Sequence, residues 1–585
     1  MSSGVAGANP PGWPWRSVML TPRIGHATAY DEDRGVTVVY GGQDGLAVLD
    51  DMWEWDGITW SRLASSGPGP RTGHAMVYDS ARRVMVVFGG WTPLATASAE
   101  TWEWDGTTWS VRATAGPVAR SEHAMAYDSR RGVTVLFGGK VGVKVLSDTW
   151  EWDGVRWTLR AVTGPSPRSK HAMAYDRDRS VTLLFGGWGD PWCAGQLWEW
   201  DGTRWTSRQD LEPAPSLRIG PGMAYDAARG VAVLYGGYLA MFPCPGPEDL
   251  AAWEWDGARW TRRETEGAPS LRAYHKMVYD SRRREVVLVG GDATPSGTAE
   301  AYLSETWVWD GQTWKARTPQ ARSGHALAYD SARDVTVLFG GQGRSPYLGL
   351  GDTWELHGNR WIFRTAQGPS PRRDPSMVYD AARGVTVLFG GRGGPGLLGD
   401  TWEWDGEEWL LRATDGPSPR YLASMVYDSH RGVTVLIGGA YMSAIDMWEW
   451  DGQNWKQIAE SGHVWAGRAM AYDSARRVIV AVSLPRTWEW DGAQWLLRVS
   501  SGSPGNPQTQ MAYDKRRGVT VLFRGYHVYE RYTWEWDGDS WKVFLGGPHG
   551  RDRAAMVYDS GGAAVLLFGG SYFDDTWSYA GPGSE

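Results

Sequence analysis

The stretches His171-Ala-Met-Ala-Tyr175-Asp176, Val181-Thr-Leu-Leu-Phe185-Gly186-Gly187 and Trp198-Glu-Trp200-Asp201-Gly202 decide the fold. The first predicts a strand that ends in a turn at its Asp. The second is apolar on nearly every residue, as expected for a strand covered on both faces, and ends in Gly-Gly. The third predicts another strand followed by the short-hairpin signal Asp-Gly, and Trp205 begins a fourth strand. We name these strands A to D in chain order.

This four-strand pattern recurs along the whole chain, whose length is 585 residues. The repeats contain 33 of the 39 Trp residues, so the excess of Trp belongs to the architecture. No helical period interrupts the pattern, and four antiparallel strands per repeat are typical of a propeller blade. The first Trp of strand C falls in twelve places: Trp53, Trp102, Trp150, Trp198, Trp253, Trp307, Trp354, Trp402, Trp448, Trp488, Trp534 and Trp577.

Composition excludes several classes of protein. Lys and Arg number 59 and Asp and Glu number 67, a net charge of −8 that argues against general nucleic-acid binding. No apolar run is long enough for a membrane span, so we expect no membrane insertion. The first residues have neither the basic end nor the apolar core of a secretory signal. We therefore expect a soluble protein, cytoplasmic as the chain stands and secreted if the sequence has been trimmed.

Gly-Gly after strand B, followed by two aromatic residues six residues apart such as Trp53 and Trp60, resembles the kelch repeat. The blades resemble those of bacterial kelch-repeat proteins and of the central domain of galactose oxidase, over about residues 13–579. The resemblance implies an all-β fold of twelve four-stranded blades. Ring sizes of four to eight blades favour two six-bladed propellers, and one ring of twelve blades is the alternative.

The predicted organisation follows from the repeats. Residues 1–12 form a disordered N-terminal tail, and 580–585 a C-terminal tail. Repeats 1–6 make the first propeller over 19–318, and repeats 7–12 the second over 319–579. The last repeat ends after its third strand, so we expect residues 13–18 to supply strand D of that blade and to remove two open sheet edges.

Function is expected on the face that carries the variable B–C loops and D–A connectors. Ten repeats place an Arg seven residues before the Tyr of strand A. In the kelch receptor that senses oxidative stress, similarly placed arginines hold an acidic peptide. An alternative role is an ion pair with a carboxylate of a neighbouring blade, such as the Glu of Trp-Glu-Trp. The predicted ligand-binding residues are Arg23, Arg71, Arg120, Arg168, Arg218, Arg272, Arg322, Arg372, Arg420 and Arg551, with the loop aromatics Trp91, Trp188, Trp192 and Tyr238.

Six repeats carry a His three residues after that position. A structural role is favoured, because a metal would need ligands that converge within a few ångströms and side chains on separate blades rarely do so. A catalytic acid or base is the other alternative. No metal or other cofactor is predicted, and the metal candidates to test are His26, His74, His123, His171, His275 and His325.

Cys193 and Cys244 lie in the B–C loops of neighbouring repeats, so a disulfide between them is geometrically plausible. No motif places a Cys beside the Tyr and His set of a galactose-oxidase copper site. Some kelch-type propellers are enzymes, including a sialic-acid epimerase and plant specifier proteins. Residues that break the repeat or sit in divergent loops are therefore the catalytic candidates: His463, Arg468, His527 and Asp292.

The favoured function is a binding protein that presents its loop face and an Arg-rimmed, aromatic mouth to a protein, peptide, glycan or anionic partner. The sequence contains none of the common catalytic motifs, so an enzyme is the less favoured hypothesis. Two alternatives stay open: a loop-borne enzyme acting on a sugar or small metabolite, in the manner of an epimerase or isomerase, and a purely structural repeat scaffold.

Overall fold

The computed structural model is all-β in the residues that it describes. These are residues 14–582 without 46, 64–66, 95, 190–195, 209–211, 239–250, 265–266, 294–300, 345–348, 395, 440–445, 461–468, 484, 505–508, 525–530 and 572. Strands A to D of each repeat pair antiparallel in sequence order, as the sequence predicts for kelch blades. No helix in this part of the chain has the length and apolar composition that crossing a membrane requires.

We number the blades by repeat and give their strands in the order A to D. Blades 1–6 are Ala27–Asp31, Val36–Gln43, Val48–Trp55, Trp60–Leu63; Ala75–Asp79, Val84–Phe88, Thr101–Trp104, Trp109–Ala113; Ala124–Asp128, Val133–Phe137, Thr149–Trp152, Trp157–Ala161; Ala172–Asp176, Val181–Phe185, Leu197–Trp200, Trp205–Arg208; Gly222–Asp226, Val231–Tyr235, Ala252–Trp255, Trp260–Arg263; and Lys276–Asp280, Glu285–Asp292, Tyr302–Trp309, Trp314–Ala316.

Blades 7–12 follow in the same order, and strand D of blade 12 comes from the start of the chain. They are Ala326–Asp330, Val335–Phe339, Thr353–His357, Arg360–Thr365; Ser376–Asp380, Val385–Gly393, Gly396–Trp404, Trp409–Ala413; Ser424–Asp428, Val433–Ile437, Asp446–Trp450, Trp455–Glu460; Met470–Asp473, Val478–Ser483, Arg486–Trp490, Trp495–Val499; Gln510–Asp514, Val519–Arg524, Tyr532–Trp536, Trp541–Leu545; and Ala555–Asp559, Ala564–Phe568, Thr576–Tyr579, Trp15–Ser17.

Five short strands lie in the loops. Arg372–Arg373 joins the sheet of blade 8, and the others form two small ribbons. These ribbon strands are Lys140–Val141 with Lys144–Val145, and Arg168–Ser169 with Trp188–Gly189.

The chain divides into two compact units near the predicted boundary. The first unit contains Leu20–Arg317, and the second contains Thr318–Glu585 together with the segment that ends at Met19. In the first unit, Trp60 Nε1 of blade 1 donates a hydrogen bond of 2.8 Å to Thr306 Oγ1 of blade 6. In the second, Trp361 Nε1 of blade 7 donates one of 3.3 Å to Thr576 Oγ1 of blade 12. The first and last blades of each unit are therefore in contact.

Residues 15–17 of the predicted closing strand pair with the last strand of the repeat array. Trp15 lies opposite Tyr579, and Ser17 lies opposite Trp577. The Trp15 side chain is fully buried, and its indole nitrogen donates to Thr533 Oγ1 of blade 11 at 2.7 Å. The second unit is thus built from both ends of the sequence.

The apolar core follows strand B, as its composition predicts. Val135, Leu136 and Phe137 are fully buried in blade 3, because neighbouring blades cover both faces of the sheet. The second Trp of strand C also lies in the blade-to-blade seams of ten repeats, and its place is taken by Leu356 in blade 7 and Tyr579 in blade 12. In blade 3 this residue is Trp152, whose indole nitrogen donates to the carboxylate of Glu103 in blade 2 at 3.2 Å.

The turns between strands A and B are held by one repeated set of charged residues. In blade 2, Asp79 accepts hydrogen bonds from the backbone of the turn and from Arg82, and Arg82 also contacts Glu103 at 2.5 Å. The Asp that follows the strand-A Tyr and the Glu of Trp-Glu-Trp thus share one arginine. This arrangement explains why the turn face varies so little between repeats and leaves the variable loops on the other face.

Candidate functional site

The ten arginines predicted to rim the mouth are buried. Each has at most 2% of its surface exposed, and none lines the cavity described below. Each donates from Nη1 to the carbonyl oxygen of the first Gly of Gly-Gly, as Arg120 does to Gly138 at 2.8 Å. Their burial disfavours direct contact with a ligand, and ligand binding stays a prediction for the following residues: Arg23, Arg71, Arg120, Arg168, Arg218, Arg272, Arg322, Arg372, Arg420 and Arg551.

Most of these guanidinium groups are neutralised inside their own blade. Arg120 makes two bonds of 2.7 Å to the carboxylate of Asp148, which lies two residues before the first Trp of strand C. Asp148 also accepts a bond from Trp150. Burial alone would raise the pKa of Asp148, but the hydrogen bonds and the positive charge of Arg120 lower it by more. The pKa of Asp148 therefore lies below its ordinary value. Arg120 thus forms an ion pair, as the alternative expects, but its partner is an Asp of the same blade and not the Glu of a neighbouring blade.

Blade 4 departs from this arrangement. Its residue at the position of Asp148 is Gln196. Arg168 donates to the Ser166 hydroxyl and to the carbonyls of Ser166 and Gly186. Burial lowers the pKa of Arg168 to about 10, so the group still carries its charge at neutral pH. Positive charge therefore lies below the surface on this side of the first unit.

The predicted histidines are packing residues of the blade seams. The ring of His123 lies edge-on to Phe88 of the preceding blade, with centroids 5.5 Å apart, and the same geometry recurs at His171 and Phe137. Burial lowers the pKa of His123 to about 3, and it lowers the pKa of the other first-unit histidines well below 6.5. These imidazoles are neutral at physiological pH.

The histidines do not form a metal centre. No three His, Cys, Asp or Glu side chains within the described ranges come together in a way that could hold a metal ion. This finding covers all six metal candidates: His26, His74, His123, His171, His275 and His325. Five of them lie in the first unit, and His325 packs against Phe568 in the second.

Five consecutive backbone hydrogen bonds link the six blades at the mouth of the first unit. Each blade supplies one residue, two positions after its buried Arg, and we call these residues the mouth ring. The N–H of each residue donates to the carbonyl of the ring residue one blade earlier, at 2.6–2.9 Å from Gly73 onward. All have φ near +60° to +70°. The mouth ring consists of Gly25, Gly73, Glu122, Lys170, Gly220 and Tyr274.

The left-handed backbone of the mouth ring favours glycine at each of its six positions. Three of its six members are glycine, and Glu122, Lys170 and Tyr274 adopt φ values of 59–60° that usually favour glycine. Lys170 Nζ lies 3.4 Å from the hydroxyl of Tyr274 and 4.0 Å from Glu122. Three functional side chains are therefore concentrated on one side of a mouth that is otherwise bare backbone.

A cavity of about 590 Å³ opens at the mouth ring, a volume typical of small-ligand sites. Three lysines and one glutamate line it: Lys140, Lys170, Lys276 and Glu122. Lys140 Nζ pairs with Glu122 at 2.7 Å. The charge of the single glutamate is thus shared by Lys140 and Lys170, and the lining carries an excess of positive charge.

Of the three lysines that line the cavity, Lys276 has no counter-charge among the described residues. It begins strand A of blade 6, where the other blades of the first unit have Ala27, Ala75, Ala124, Ala172 and Gly222. Among the residues that the structure describes, its ammonium group has no hydrogen-bond or ion-pair partner. Burial lowers the pKa of Lys276. Its charge also helps to lower the pKa of all five first-unit histidines, so it lies within electrostatic reach of each of them.

The four predicted aromatic residues differ in their surroundings. Trp91 is 38% exposed and lines the cavity. Trp188 is 41% exposed but is not part of the lining, and Trp192 lies outside the described residues. Tyr238 donates its hydroxyl hydrogen bond to the carbonyl of Asp292 at 2.8 Å and packs edge-on to Tyr274. Trp91 is thus the predicted aromatic that the structure brings to the cavity.

The remaining predictions are only partly covered by the structure. His463, Arg468 and His527 lie outside the described residues, as do both predicted disulfide partners, Cys193 and Cys244. Asp292 is buried at 2% exposure and pairs through its backbone with Ala273 of the same blade.

Sequence reasoning missed Lys276 and the side chains of the mouth ring. For Lys276, a signal is visible when the repeats are aligned with one another. The residue three positions before the strand-A Tyr is Ala, Gly, Ser or Gln in every other repeat and Lys only at 276. A residue that recurs in most repeats, such as the Arg, is explained by the shared fold. A residue that occurs in one repeat, such as Lys276, is not required by the fold and is the better candidate for function.

A comparison with protein-family models agrees with the repeat architecture over part of the chain. Residues 97–291 match the model of the KLHDC2/KLHL20/DRC7 Kelch-repeats domain. No curated protein sequence matches the chain. A solved structure titled "Structure of YjhT" is similar at 14% identity and a TM-score of 0.40, over 51% of this chain and 99% of that one.

Proposed function

Because the chain carries kelch repeats, we propose that it is a binding protein made of two six-bladed propellers and that the first takes an anionic ligand in its mouth cavity. Kelch repeats are scaffolds for interactions. The proposal keeps the predicted loop-face function but replaces the arginines with the lysines of the cavity. Peptide, glycan and small-molecule ligands share the required feature when they carry a carboxylate.

The observation that carries the proposal is Lys276. An ammonium group in a partly enclosed site is costly unless a partner or water compensates its charge. Lys140 and Lys170 have Glu122 nearby, but Lys276 has no such partner among the described residues. The five neighbouring imidazoles are neutral and do not supply a negative charge. A carboxylate in the cavity would supply it.

The shape of the lining supports a ligand that is part polar and part flat. Trp91 presents a partly exposed ring to the cavity, and Lys170 Nζ lies 4.9 Å from the centre of the Tyr274 ring. Aromatic faces pack against apolar or sugar surfaces, while the lysines attract the charged end. Glu122 fixes Lys140 and Lys170 in place, so less side-chain entropy is lost on binding.

A thermal-shift screen tests this proposal. Compounds with one, two and three carboxylates, with and without sugar rings, are compared with their amides. Carboxylates are expected to raise the melting temperature of the protein, and the amides are not. Lys276→Met should abolish the shift, whereas Lys144→Met, at an exposed loop lysine, should keep it. An equal shift in both variants would overturn the proposal.

A further inference from the structure

We propose that Lys276 reacts reversibly with the carbonyl carbon of a small 2-oxo acid, forming an iminium in the cavity of the first unit. This inference rests on the proposed anionic ligand and names its class. The cavity would then capture its ligand covalently, whereas the proposed function requires only non-covalent binding of a carboxylate.

The position of Lys276 in the cavity is the first observation that supports this inference. Its side chain extends from the first residue of an inner strand, and the equivalent positions of the same unit are occupied by four alanines and Gly222. A Cβ at Gly222 would lie 2.6 Å from His275 Nε2 and 2.7 Å from Met277 Sδ, so the neighbouring strand has no room for a second side chain. One amine therefore stands among small residues and faces an open cavity.

The surroundings of Lys276 favour a reactive amine. No carboxylate within the described ranges holds its ammonium group, and the five imidazoles that sense its charge are buried and neutral. Burial lowers its pKa, which increases the fraction of free amine at neutral pH. Lysines that are desolvated in this way are the ones that form imines with carbonyl substrates. By contrast, the nearby carboxylate of Glu122 keeps Lys140 as an ion pair.

The reaction needs no oxidant or other co-reactant. The nitrogen lone pair of Lys276 attacks the carbonyl carbon, the C=O π electrons go to oxygen, and proton transfer gives a carbinolamine. Loss of that oxygen as water leaves a C=N bond. Overall, an ammonium group and a ketone become an iminium and one water, so the positive charge is conserved. The ligand carboxylate adjacent to the new iminium then neutralises it.

The size and charge of the site restrict the ligand. A 2-oxo acid places its carboxylate next to the reacting carbon, so the ligand both binds the excess positive charge of the lining and presents its carbonyl to Lys276. Lys170 and the Tyr274 hydroxyl, 3.4 Å apart on the mouth ring, lie at the same cavity and can hold a second polar group. An uncharged aldehyde has the carbonyl but not the counter-charge.

Reductive trapping of the full chain tests the inference. Pyruvate is added with cyanoborohydride, which reduces an iminium to a stable secondary amine, and peptide mapping locates the carboxyethyl group. Modification is expected at Lys276 and not at the exposed Lys144. Lactate, which has the carboxylate but no ketone, should slow the modification by competition. Modification spread evenly over surface lysines would overturn the inference.

Lys276→Arg separates this inference from the proposed function. Arginine keeps the positive charge but forms no imine, so pyruvate should still bind in calorimetry while the trapped product disappears. Binding of pyruvate to the unmodified chain without any trapping at Lys276 would refute the iminium and leave the anion site standing. Neither binding nor trapping would refute both. Circular dichroism and melting curves of each variant show whether its fold is intact.

Discussion

The indole nitrogen of Trp60 donates a 2.8 Å hydrogen bond to the hydroxyl of Thr306, and this bond joins the first blade of the first unit to its last. Equivalent Trp–Thr bonds join consecutive blades, as between Trp157 and Thr101. The first unit has no strand shared between its two ends, since its blades are continuous in sequence. Side-chain bonds of this kind therefore matter more for closing the first unit than the second.

Trp60→Phe should destabilise the first unit selectively. The change removes the bond to Thr306 and keeps most of the apolar packing, so the free energy of unfolding is expected to fall by about 1–2 kcal/mol. Trp361→Phe is the matched variant in the second unit, where Trp361 bonds to Thr576. Differential scanning calorimetry should show each variant shifting a different transition. A common shift of one transition by both variants would contradict this expectation.

Trp15→Ala should act on the second unit. Trp15 is fully buried against Phe523 and Tyr579, and truncation of a buried Trp typically costs about 3–5 kcal/mol. The transition that Trp361→Phe shifts is therefore expected to move to lower temperature by a larger amount. Trp188→Ala, at an exposed loop residue, is the control and should leave both transitions in place.

Asp148→Ala should cost stability without changing ligand binding. It leaves the buried guanidinium of Arg120 with the carbonyls of Gly138 and Val118 but without a counter-charge. Breaking one partner of a buried pair costs about 3–5 kcal/mol. Chemical denaturation measures the loss, and the thermal shift produced by carboxylates should persist in the folded variant. Loss of binding with unchanged stability would restore the arginines as ligand residues.

Acid should destabilise the first unit through its buried histidines. The folded-state pKa of His123 is about 3, below the ordinary value of 6.5, so the unfolded chain binds more protons between these values. Stability is therefore full above about pH 6.5 and falls as the pH drops, by about 1.4 kcal/mol per pH unit for each such histidine. Denaturation curves from pH 7 to pH 5 test this.

His123→Gln should reduce that pH dependence by one histidine's share, whereas His430→Gln, at an exposed turn, should not. If the two variants show the same slope of unfolding free energy against pH as the unmodified chain, the buried histidines are not the source of the acid sensitivity. The readout is the difference in slope, which a general loss of packing at His123 would not change.

The blade pattern could be predicted from the sequence because each of its elements has a local cause. Strand B is apolar throughout, Asp-Gly makes a hairpin, and Gly-Gly meets the close approach of the neighbouring backbone, where a Cβ at Gly139 would lie 2.8 Å from His123 Cβ. Such constraints act within a few residues or between adjacent repeats. They recur with the repeat and are therefore visible in it.

The site could not be predicted in the same way. Whether Arg120 faces a ligand or Asp148 depends on how the B–C loop returns to strand C, and no local pattern states this. The cavity brings together Lys140, Lys170 and Lys276, which are far apart in sequence and meet only when the blades close into a unit. The only trace in the sequence is the single Lys among the small residues that begin strand A.

Calorimetric titration of a carboxylate into the unmodified chain, Lys276→Met and Lys144→Met tests the central claim most directly. We expect one binding site in the unmodified chain and in Lys144→Met. The affinity of Lys276→Met should be at least about tenfold weaker, a loss of roughly 1.4 kcal/mol or more in binding free energy. Equal affinity in all three proteins would contradict the claim that the lysine cavity of the first unit is the binding site.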